Sequence, residues 1–324
     1  MSILARCVAA LTVTAALVHF TAAKAQDYPS NTVKVLVGFA PGGGTDRVAR
    51  LIAPKLSEKW GRPVIVENRE GADGTIAADI VAKSKPDGLV LLMTTINQTV
   101  TPSLRNLTFD PIKDFAYITV MTATPEVLLI NPNAEAKTLA EFITLAKANP
   151  GQINFGTTGN GGPPFIEMLR FMREAGIQLT PVPYKGTGEA TAALLGNEIQ
   201  VMFQNSLAAS SSLGSGALRG LAITGAQRSA ALPDMPTFGE AAKIEALDEL
   251  VNWYGLATTG GTPADVVSKI YKDVSDVMHT SDVTKQLTNG GTILVLSTPE
   301  ETKTRIEQEI IDFGALLKEY NVNK

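Results

Sequence analysis

Cysteine and histidine are almost absent from this chain of 324 residues, which has one cysteine and two histidines. Cys7 and His19 lie within the first 25 residues, so only His279 remains beyond them. A zinc site of histidine and cysteine ligands needs three or four such side chains. A Ser-His-Asp hydrolase would need His279 as its base, but this residue ends a helical pattern, where a solvated histidine is the ordinary arrangement. The composition therefore opposes a metal site and nucleophilic catalysis.

Nucleotide-binding loops are missing as well. The chain has neither a Gly-Lys-Ser/Thr phosphate loop nor a Gly-x-Gly-x-x-Gly fingerprint after a strand. Catalysis by carboxylates alone is not excluded, because the chain has 32 acidic residues, but no pair of them stands out. We therefore expect a protein without enzymatic activity and without a cofactor. The alternative is an enzyme that acts on carboxylates through acids such as Asp46.

The first 25 residues have the three parts of a secretory signal. Arg6 precedes an apolar run over residues 7–20, and the small residues Ala23 and Ala25 mark the expected cleavage site. This run is shorter than the roughly 20 residues that span a bilayer, and it lacks the polar face of a buried surface helix. Cys7 does not follow the run as a lipoprotein cysteine would. We therefore expect export to the periplasm without a lipid anchor.

Cleavage after Ala25 would leave an acidic chain. It would remove Arg6 and Lys24, two of the 28 basic residues, and none of the 32 acidic ones, so the net charge would change from −4 to −6. Nucleic-acid binding depends on basic side chains that neutralise phosphates, and this chain has no basic patch. No other stretch approaches the length of a membrane-spanning helix. We expect a soluble monomer that binds no nucleic acid.

Strands and helices alternate in two successive series, which predicts an α/β fold of mainly parallel sheets flanked by helices. The strands of the first series are expected at 32–39, 63–67 and 89–94, with helices after Asp46 and over 75–83. The second series has expected strands at 127–130, 153–157 and 179–184, with helices over 138–148 and 164–174. Helix starts are indicated at Thr138, Thr262 and Thr298, each with an acidic residue three positions later.

The two series indicate two lobes. No Pro/Ser-rich linker separates them, and the apolar stretches 124–130 and 251–258 suit paired crossings between the lobes. A long amphipathic helix from Thr298 to about Tyr320 would help to complete the first lobe. We expect lobe 1 to comprise residues 26–123 and 252–324, and lobe 2 to comprise residues 124–251.

Glycine-rich loops follow three of the predicted strands, at 41–46, 156–163 and 184–188. Ligands collect at the carboxyl ends of parallel strands. Glycines let the backbone approach a ligand closely, and free amides at a helix start favour an anion. A single loop of this kind is usually an ordinary tight turn. Three of them in two series predict one anion-binding cleft between the lobes.

Some candidate residues, in these loops and elsewhere, allow two interpretations. Asp46 suits a helix cap or dipole partner, or else the counter-ion of a ligand amine. Asn205 suits a turn, or an amide donor to a carboxylate, and Trp253 with Tyr254 suits either the core or stacking on a ligand. The candidate ligand-binding residues are Phe39, Pro41, Gly42, Gly43, Gly44, Thr45, Asp46, Thr157, Thr158, Gly159, Asn160, Tyr184, Thr187 and Asn205.

Several segments, in order, resemble the Bug family, the extracytoplasmic binding proteins of tripartite tricarboxylate transporters. They are Tyr-Pro-Ser at 28–30, and the stretches 37–50, 63–69, 71–74, 154–160, 182–187, 228–237 and 253–257. The resemblance implies a two-lobed periplasmic binding protein fold of type II-like form that closes on a carboxylate. It implies that backbone amides, hydroxyls and waters of loops 40–46 and 156–160 hold this ligand. It also implies delivery to a membrane transporter or, in some cases, to a sensor.

The chain departs from the Bug pattern at two places. Residues 161–166 read Gly-Gly-Pro-Pro-Phe-Ile, where many relatives have a small polar residue and a histidine. This apolar stretch disfavours citrate or an amino acid and leaves room for a larger or aromatic dicarboxylate, of which terephthalate is one type. Asp73 is an additional acid in a glycine-rich segment, and we expect it at the surface.

The signal segment leads to a first testable expectation. If cleavage follows Ala25, the mature protein recovered from a periplasmic fraction should begin at Gln26, as determined by intact-mass analysis. A full-length chain retained in the cytoplasm would contradict export.

Overall fold

The structure is a computed structural model that describes residues 28–289 and 291–322, so the expected signal segment lies outside the described residues. Within these ranges the strands are β1 (Val33–Val37), β2 (Val64–Asn68), β3 (Val90–Thr95), β4 (Phe115–Ala123), β5 (Glu126–Ile130), β6 (Asn154–Thr157), β7 (Thr180–Pro183), β8 (Val201–Asn205), β9 (Arg219–Ile223), β10 (Trp253–Thr259) and β11 (Ile293–Leu294). The helices are α1 (Gly44–Trp60), α2 (Thr75–Ala82), α3 (Asn97–Leu104), α4 (Leu139–Ala148), α5 (Pro163–Ala175), α6 (Thr187–Leu195), α7 (Ser206–Gly214), α8 (Phe238–Ala242), α9 (Ala264–Met278), α10 (Ser281–Thr288) and α11 (Pro299–Glu319). In the part of the chain that the structure describes, no helix combines the length and the apolar character that a bilayer crossing requires.

The strands form two sheets, which confirms the predicted two-lobed α/β fold. The first sheet has the order β11-β4-β10-β3-β1-β2, and the second has the order β7-β6-β8-β5-β9. In the first sheet β1 runs parallel to β2 and β3, but β10 runs antiparallel to β3 and β4. In the second, β6 runs parallel to β7 and β8, but β5 runs antiparallel to β8 and β9. The expectation of mainly parallel sheets was therefore wrong, because the strands that enter from the other lobe join each sheet antiparallel.

The chain passes between the sheets twice, after β4 and again before β10. The two connections lie side by side, since the amide of Thr124 donates to the carbonyl of Asn252 over 2.8 Å. The predicted lobe boundaries at 123/124 and 251/252 fall within these connections. The carboxyl ends of β1, β2 and β3 lie along one edge of the first sheet, and those of β6, β7 and β8 lie along one edge of the second, because parallel neighbours end at the same edge.

Two of the three indicated helix starts are correct. Thr138 accepts the amide of Glu141 at the start of α4, and Thr298 with Glu301 forms a complete capping box before α11. The expectation for Thr262 was wrong, because α9 begins at Ala264 and its N-cap is Pro263. The hydroxyl of Thr262 instead donates to the carbonyl of Thr259 over 2.8 Å and closes the preceding turn.

The largest apolar cluster crosses from one lobe to the other. Val100 in α3 and Phe313 in α11 belong structurally to the first lobe, yet they are buried in one cluster with Phe165 of α5 and Leu128 of β5. Each fully buried side chain of this size contributes about 1.5–3 kcal/mol of hydrophobic stabilisation. The lobes are therefore joined on this side by core packing as well as by the two chain crossings.

A buried carboxyl group also links the crossings. Glu126, at the start of β5, is 1% exposed, and its Oε1 accepts a hydrogen bond of 2.7 Å from Nδ2 of Asn252. Its Oε2 has no hydrogen-bond partner among the described residues. Burial raises the pKa of Glu126 to about 8, with a smaller contribution from the charge of Glu167. The folded protein therefore keeps a proton on Glu126 at neutral pH, where an exposed glutamate would be ionised.

This proton makes the stability of the fold depend on pH. Between the ordinary pKa of 4.5 and about 8, the folded state binds the proton and the unfolded state does not. The stabilising contribution is complete below 4.5 and is lost as the pH rises through 8, so the free energy of unfolding falls over this window. Glu126→Gln keeps the bond to Asn252 and should show a shallower fall in urea denaturation between about pH 5 and about pH 8. The exposed Glu135→Gln variant serves as the control and should keep the wild-type slope.

Candidate functional site

A cleft of about 840 Å³ opens between the two lobes. Its volume lies within the range of about 300–1,000 Å³ that is usual for small-molecule sites. We call it the interlobe cleft. The residues that line it are Gly42, Gly44, Asp46, Arg47, Val48, Arg50, Leu51, Thr124, Asn205, Leu207, Ala208, Asn252, Tyr254, Gln286, Leu287 and Thr292.

Two helix N-termini, one from each lobe, face the interlobe cleft. The loop before α1 contributes Gly42, and α1 itself begins in the cleft at Gly44. On the opposite wall α7 contributes Leu207 and Ala208 from its first turn. The first amides of a helix have no partner within the helix, and the helix dipole adds partial positive charge there. The cleft is therefore suited to an anion that contacts both lobes.

Asp46 holds the loop before α1 in place. Its carboxylate accepts hydrogen bonds from the amide of Gly42 over 2.9 Å, from Nε of Arg50 over 2.9 and 3.0 Å, and from Nδ2 of Asn68 over 2.9 Å. Asn68 also donates to the carbonyl of Phe39, which ties the end of β1 to the end of β2. The bond from Arg50 is the main cause that lowers the pKa of Asp46 to about 2. Both oxygens of Asp46 thus accept hydrogen bonds within the protein. This favours a structural role for Asp46 over a role as the counter-ion of a ligand amine.

Gly44 and Tyr254 are packed against each other in the cleft. A Cβ atom at Gly44 would overlap the Tyr254 hydroxyl and would lie 2.8 Å from Cζ of that ring. Only glycine therefore permits this approach. The Tyr254 hydroxyl has no hydrogen-bond partner among the described residues, and burial raises its pKa, with a smaller contribution from Glu126. Tyr254 is therefore a neutral phenol donor beside the N-terminus of α1.

Trp253 and Tyr254 have different roles because successive side chains of a strand point to opposite faces. Trp253 is 1% exposed, and its Nε1 donates to the carboxylate of Glu309 over 3.1 Å. Trp253 is therefore part of the core, whereas Tyr254 lines the cleft. The sequence alone did not separate the two.

Asn205 caps a helix and also lines the cleft, so it fits both of the roles expected for it. Its Oδ1 accepts the amide of Ala208 over 2.9 Å and caps α7. The side-chain NH₂ group has no partner among the described residues, and Asn205 lines the cleft opposite the α1 loop. It can therefore donate to a bound anion while it caps the helix.

The second glycine loop does not line the interlobe cleft in this structure. Thr157 is buried, and its hydroxyl donates to the carbonyl of Gly159 over 2.7 Å, so this side chain shapes the loop. Thr158, Gly159 and Asn160 are exposed. Gly161 approaches the first lobe, since a Cβ atom there would lie 3.3 Å from Leu104 of α3. The loop thus reaches the other lobe through its apolar part rather than through its polar residues.

The structure brings four predicted residues together in the cleft, namely Gly42, Gly44, Asp46 and Asn205. The others lie outside its lining: Phe39, Pro41, Gly43, Thr45, Thr157, Thr158, Gly159, Asn160, Tyr184 and Thr187. Phe39 instead borders a small cavity next to Gly74. Tyr184 and Thr187 follow β7, which places them on the same sheet edge as the end of β8. Their role in ligand binding stays a prediction.

Sequence reasoning missed several lining residues. The missed residues lie far from any glycine-rich motif. The two crossings supply Thr124 and Asn252, α10 supplies Gln286, and the segment after α10 supplies Thr292. No local pattern marks them, so only the fold assigns them to the site. Arg47 did carry a signal, because a cation in the first turn of a helix opposes the helix dipole.

His279 is exposed at the end of α9, where its Nδ1 lies 2.8 Å from the carbonyl oxygen of Ser275. Asp73 is about half exposed and forms an ion pair with Arg105. Both positions agree with the surface locations expected from the sequence. Neither residue lines the interlobe cleft.

Two α/β lobes that are joined by two crossings and that enclose a small-molecule cleft form the architecture of a two-lobed solute-binding protein. A family model described as "Tripartite tricarboxylate transporter family receptor" matches residues 48–322, and the chain belongs to this family. The family consists of periplasmic receptors rather than enzymes, so the alternative of an enzyme that acts on carboxylates was wrong. Its members bind small carboxylates and work with membrane transporter components.

Individual relatives agree with this assignment. Protein BugT of Bordetella pertussis is 29% identical over 298 residues, which cover 91% of each chain, and it supports the predicted resemblance to the Bug family. The structure of MatC (Rpa3494) from Rhodopseudomonas palustris with bound malate is 30% identical, with a TM-score of 0.72 over 90% of this chain and 100% of that one. The structure of R. palustris Rpa4515 with adipate is 28% identical, with a TM-score of 0.74 over 90% and 97%.

The contact between Gly44 and Tyr254 can be tested by one added methyl group. Gly44→Ala should push the Tyr254 ring away from the α1 loop and weaken carboxylate binding about tenfold or more, which corresponds to ~1.4 kcal/mol. Titration calorimetry with a bound carboxylate measures the effect, and circular dichroism should show an unchanged fold. Gly214→Ala is the matched control, because a Cβ atom there meets nothing within 4 Å and Gly214 ends α7 outside the cleft lining. Unchanged affinity in Gly44→Ala would contradict a role for this contact in binding.

Proposed function

We propose that this protein is an exported, monomeric receptor that captures a small dicarboxylate between its two lobes and delivers it to a membrane transporter. The observation that carries the proposal is the meeting of two helix N-termini, from α1 and α7, at one cleft. The charged residues of that cleft are Asp46, Arg47 and Arg50, so its lining has a net charge of +1. A chain of net charge −4 thus offers a cationic site to an anion.

In this proposal lobe 1 comprises residues 26–123 and 252–324, and lobe 2 comprises residues 124–251. A ligand can shift the equilibrium between open and closed forms only if it binds the closed form more tightly. A dicarboxylate that contacts both helix N-termini meets this condition. The loop 157–160 follows β6, which neighbours β8, and the loop 184–187 follows β7 on the other side of β6, so all three strands end at the same sheet edge. Closure would bring these loops towards the ligand, which is how we assign them a binding role.

The chemistry of the cleft favours a ligand with an apolar middle. Leu51, Leu207 and Leu287 line it beside the polar groups, and residues 161–166 of the second lobe are largely apolar. Malate and adipate in the structures of the two relatives support a dicarboxylate. Adipate has a chain of four methylene groups between its carboxylates, and terephthalate has a ring. We place the ligand of this protein in that larger group of dicarboxylates.

The first 25 residues would direct export and would then be removed by cleavage. The membrane partner would recognise surfaces of the protein outside the cleft. A sensory membrane protein would use the same two-lobed capture, since a sensor also reads the closed form. Deletion of the gene for this protein would distinguish the two partners, because loss of dicarboxylate uptake is expected for a transport role and loss of a transcriptional response to the dicarboxylate for a sensory one.

The proposed capture predicts a change of shape on binding. Titration calorimetry with adipate, malate and terephthalate should identify at least one that binds, and a monocarboxylate such as acetate should bind more weakly. Small-angle scattering should then show a smaller radius of gyration when that dicarboxylate is added. The physical reason is that a ligand held by both lobes stabilises the closed form.

Variants of the second glycine loop test its proposed role in binding. Thr157→Ala and Asn160→Ala should each weaken binding by roughly 1 kcal/mol, the typical value of a lost hydrogen bond. Thr144→Ala, on the exposed face of α4, is the control for a lost surface hydroxyl. If both second-lobe variants bind as the wild type does and the radius of gyration stays constant, the shared-cleft proposal is wrong.

A further inference from the structure

Arg47 is the one charged residue of the interlobe cleft without a charged partner in the described part of the chain. Its side chain is exposed, and it makes no hydrogen bond or ion pair with any described residue. Arg50, one turn further along α1, contrasts with it. The Arg50 guanidinium is held by Asp46 over 2.9 Å and donates to Oδ1 of Asn68 over 2.9 Å.

The position of Arg47 is unfavourable for the protein by itself. It lies in the first turn of α1, where the positive end of the helix dipole disfavours a cation. The nearby acid, Asp46, is already neutralised by Arg50 and by two further donors. No described residue pairs with the charge of Arg47, so its guanidinium is available to an anion that enters the cleft.

The helix places Arg47 next to the proposed anion site and towards the apolar part of the cleft. Gly44, Arg47 and Leu51 are spaced by three and four residues, and all three line the cleft, as expected for one face of a helix. Arg47 is about 4.5 Å further along the axis than Gly44, at 1.5 Å per residue. Its long side chain adds several ångströms of reach. One carboxylate at the helix N-terminus and a second at the Arg47 guanidinium can therefore belong to one small molecule.

We infer that Arg47 binds the second carboxylate of the ligand and thereby selects dicarboxylates over monocarboxylates. The inference rests on the proposed function, because it assumes that the first carboxylate occupies the site between the N-termini of α1 and α7. A guanidinium suits this role since its planar fork can donate two parallel hydrogen bonds to one carboxylate. Neutral donors on the same cleft, such as Tyr254 and Asn205, then hold the first carboxylate without adding charge.

The test compares ligands that have equal numbers of carbon atoms. Wild type, Arg47→Gln and Arg47→Lys are titrated with adipate and hexanoate, and with succinate and butyrate, by calorimetry in one buffer. Arg47→Gln should lose about tenfold or more in affinity for the dicarboxylate that binds the wild type, and it should bind the matching monocarboxylate as the wild type does. Arg47→Lys should recover part of the loss, because it restores the charge without the planar fork. Arg69→Gln is the control, since that side chain pairs with Glu67 and does not line the cleft.

The outcomes are distinguishable. If the wild type binds a dicarboxylate and Arg47→Gln keeps the same preference over the monocarboxylate, the inference is wrong while the proposed function stands. An equal loss for both ligands would also overturn the inference, because it would assign to Arg47 a general attraction of anions. If the wild type binds none of the four ligands, the proposed function and the inference fail together for this class of dicarboxylate.

Discussion

Asp46 accepts hydrogen bonds from the loop before α1, from the second turn of α1 and from the end of β2, and these contacts set the geometry of the interlobe cleft. Without them the amide of Gly42 and the side chain of Asn68 would lose a common acceptor. The pKa of Asp46 is lowered to about 2, mainly by the bond from Arg50, so this acceptor is ionised at neutral pH. The loop is therefore arranged before a ligand arrives, and a preorganised site loses less entropy on binding.

The same carboxylate decides how charge is distributed in the cleft. Because Asp46 engages Arg50, this cation is held by the protein, and neutral donors such as Tyr254 and Asn205 remain available at the anion site. Neutral donors bind an anion with less desolvation than a second buried ion would require. Arg47 keeps its charge at the rim, where solvent screens it. Binding and release of a solute both benefit from this division, since an anion between fully buried cations would leave slowly.

The sequence allowed the α/β class, the two lobes and the α1 loop to be predicted, because these follow from local signals: periodicity, capping residues and glycines after strands. The antiparallel entry of β5 and β10 was not predictable in this way, because strand direction depends on which lobe the chain comes from. The lining contributed by Thr124, Asn252 and Thr292 likewise depends on the crossings. Thr157 was expected at the ligand because it lies in a glycine-rich loop after a strand, and its hydroxyl donates within that loop. Its contact with a ligand stays a prediction.

The apolar cluster that joins α3, α5 and α11 has a consequence for how the two lobes are completed. Phe313, Leu316 and Leu317 are supplied by α11, and they pack against side chains of both lobes. Because α11 follows every other described element in the chain, these residues are synthesised after the rest of the described core. Until they are in place, both lobes expose apolar surface to water, which disfavours compact intermediates. One helix thus completes the packing of two lobes at once.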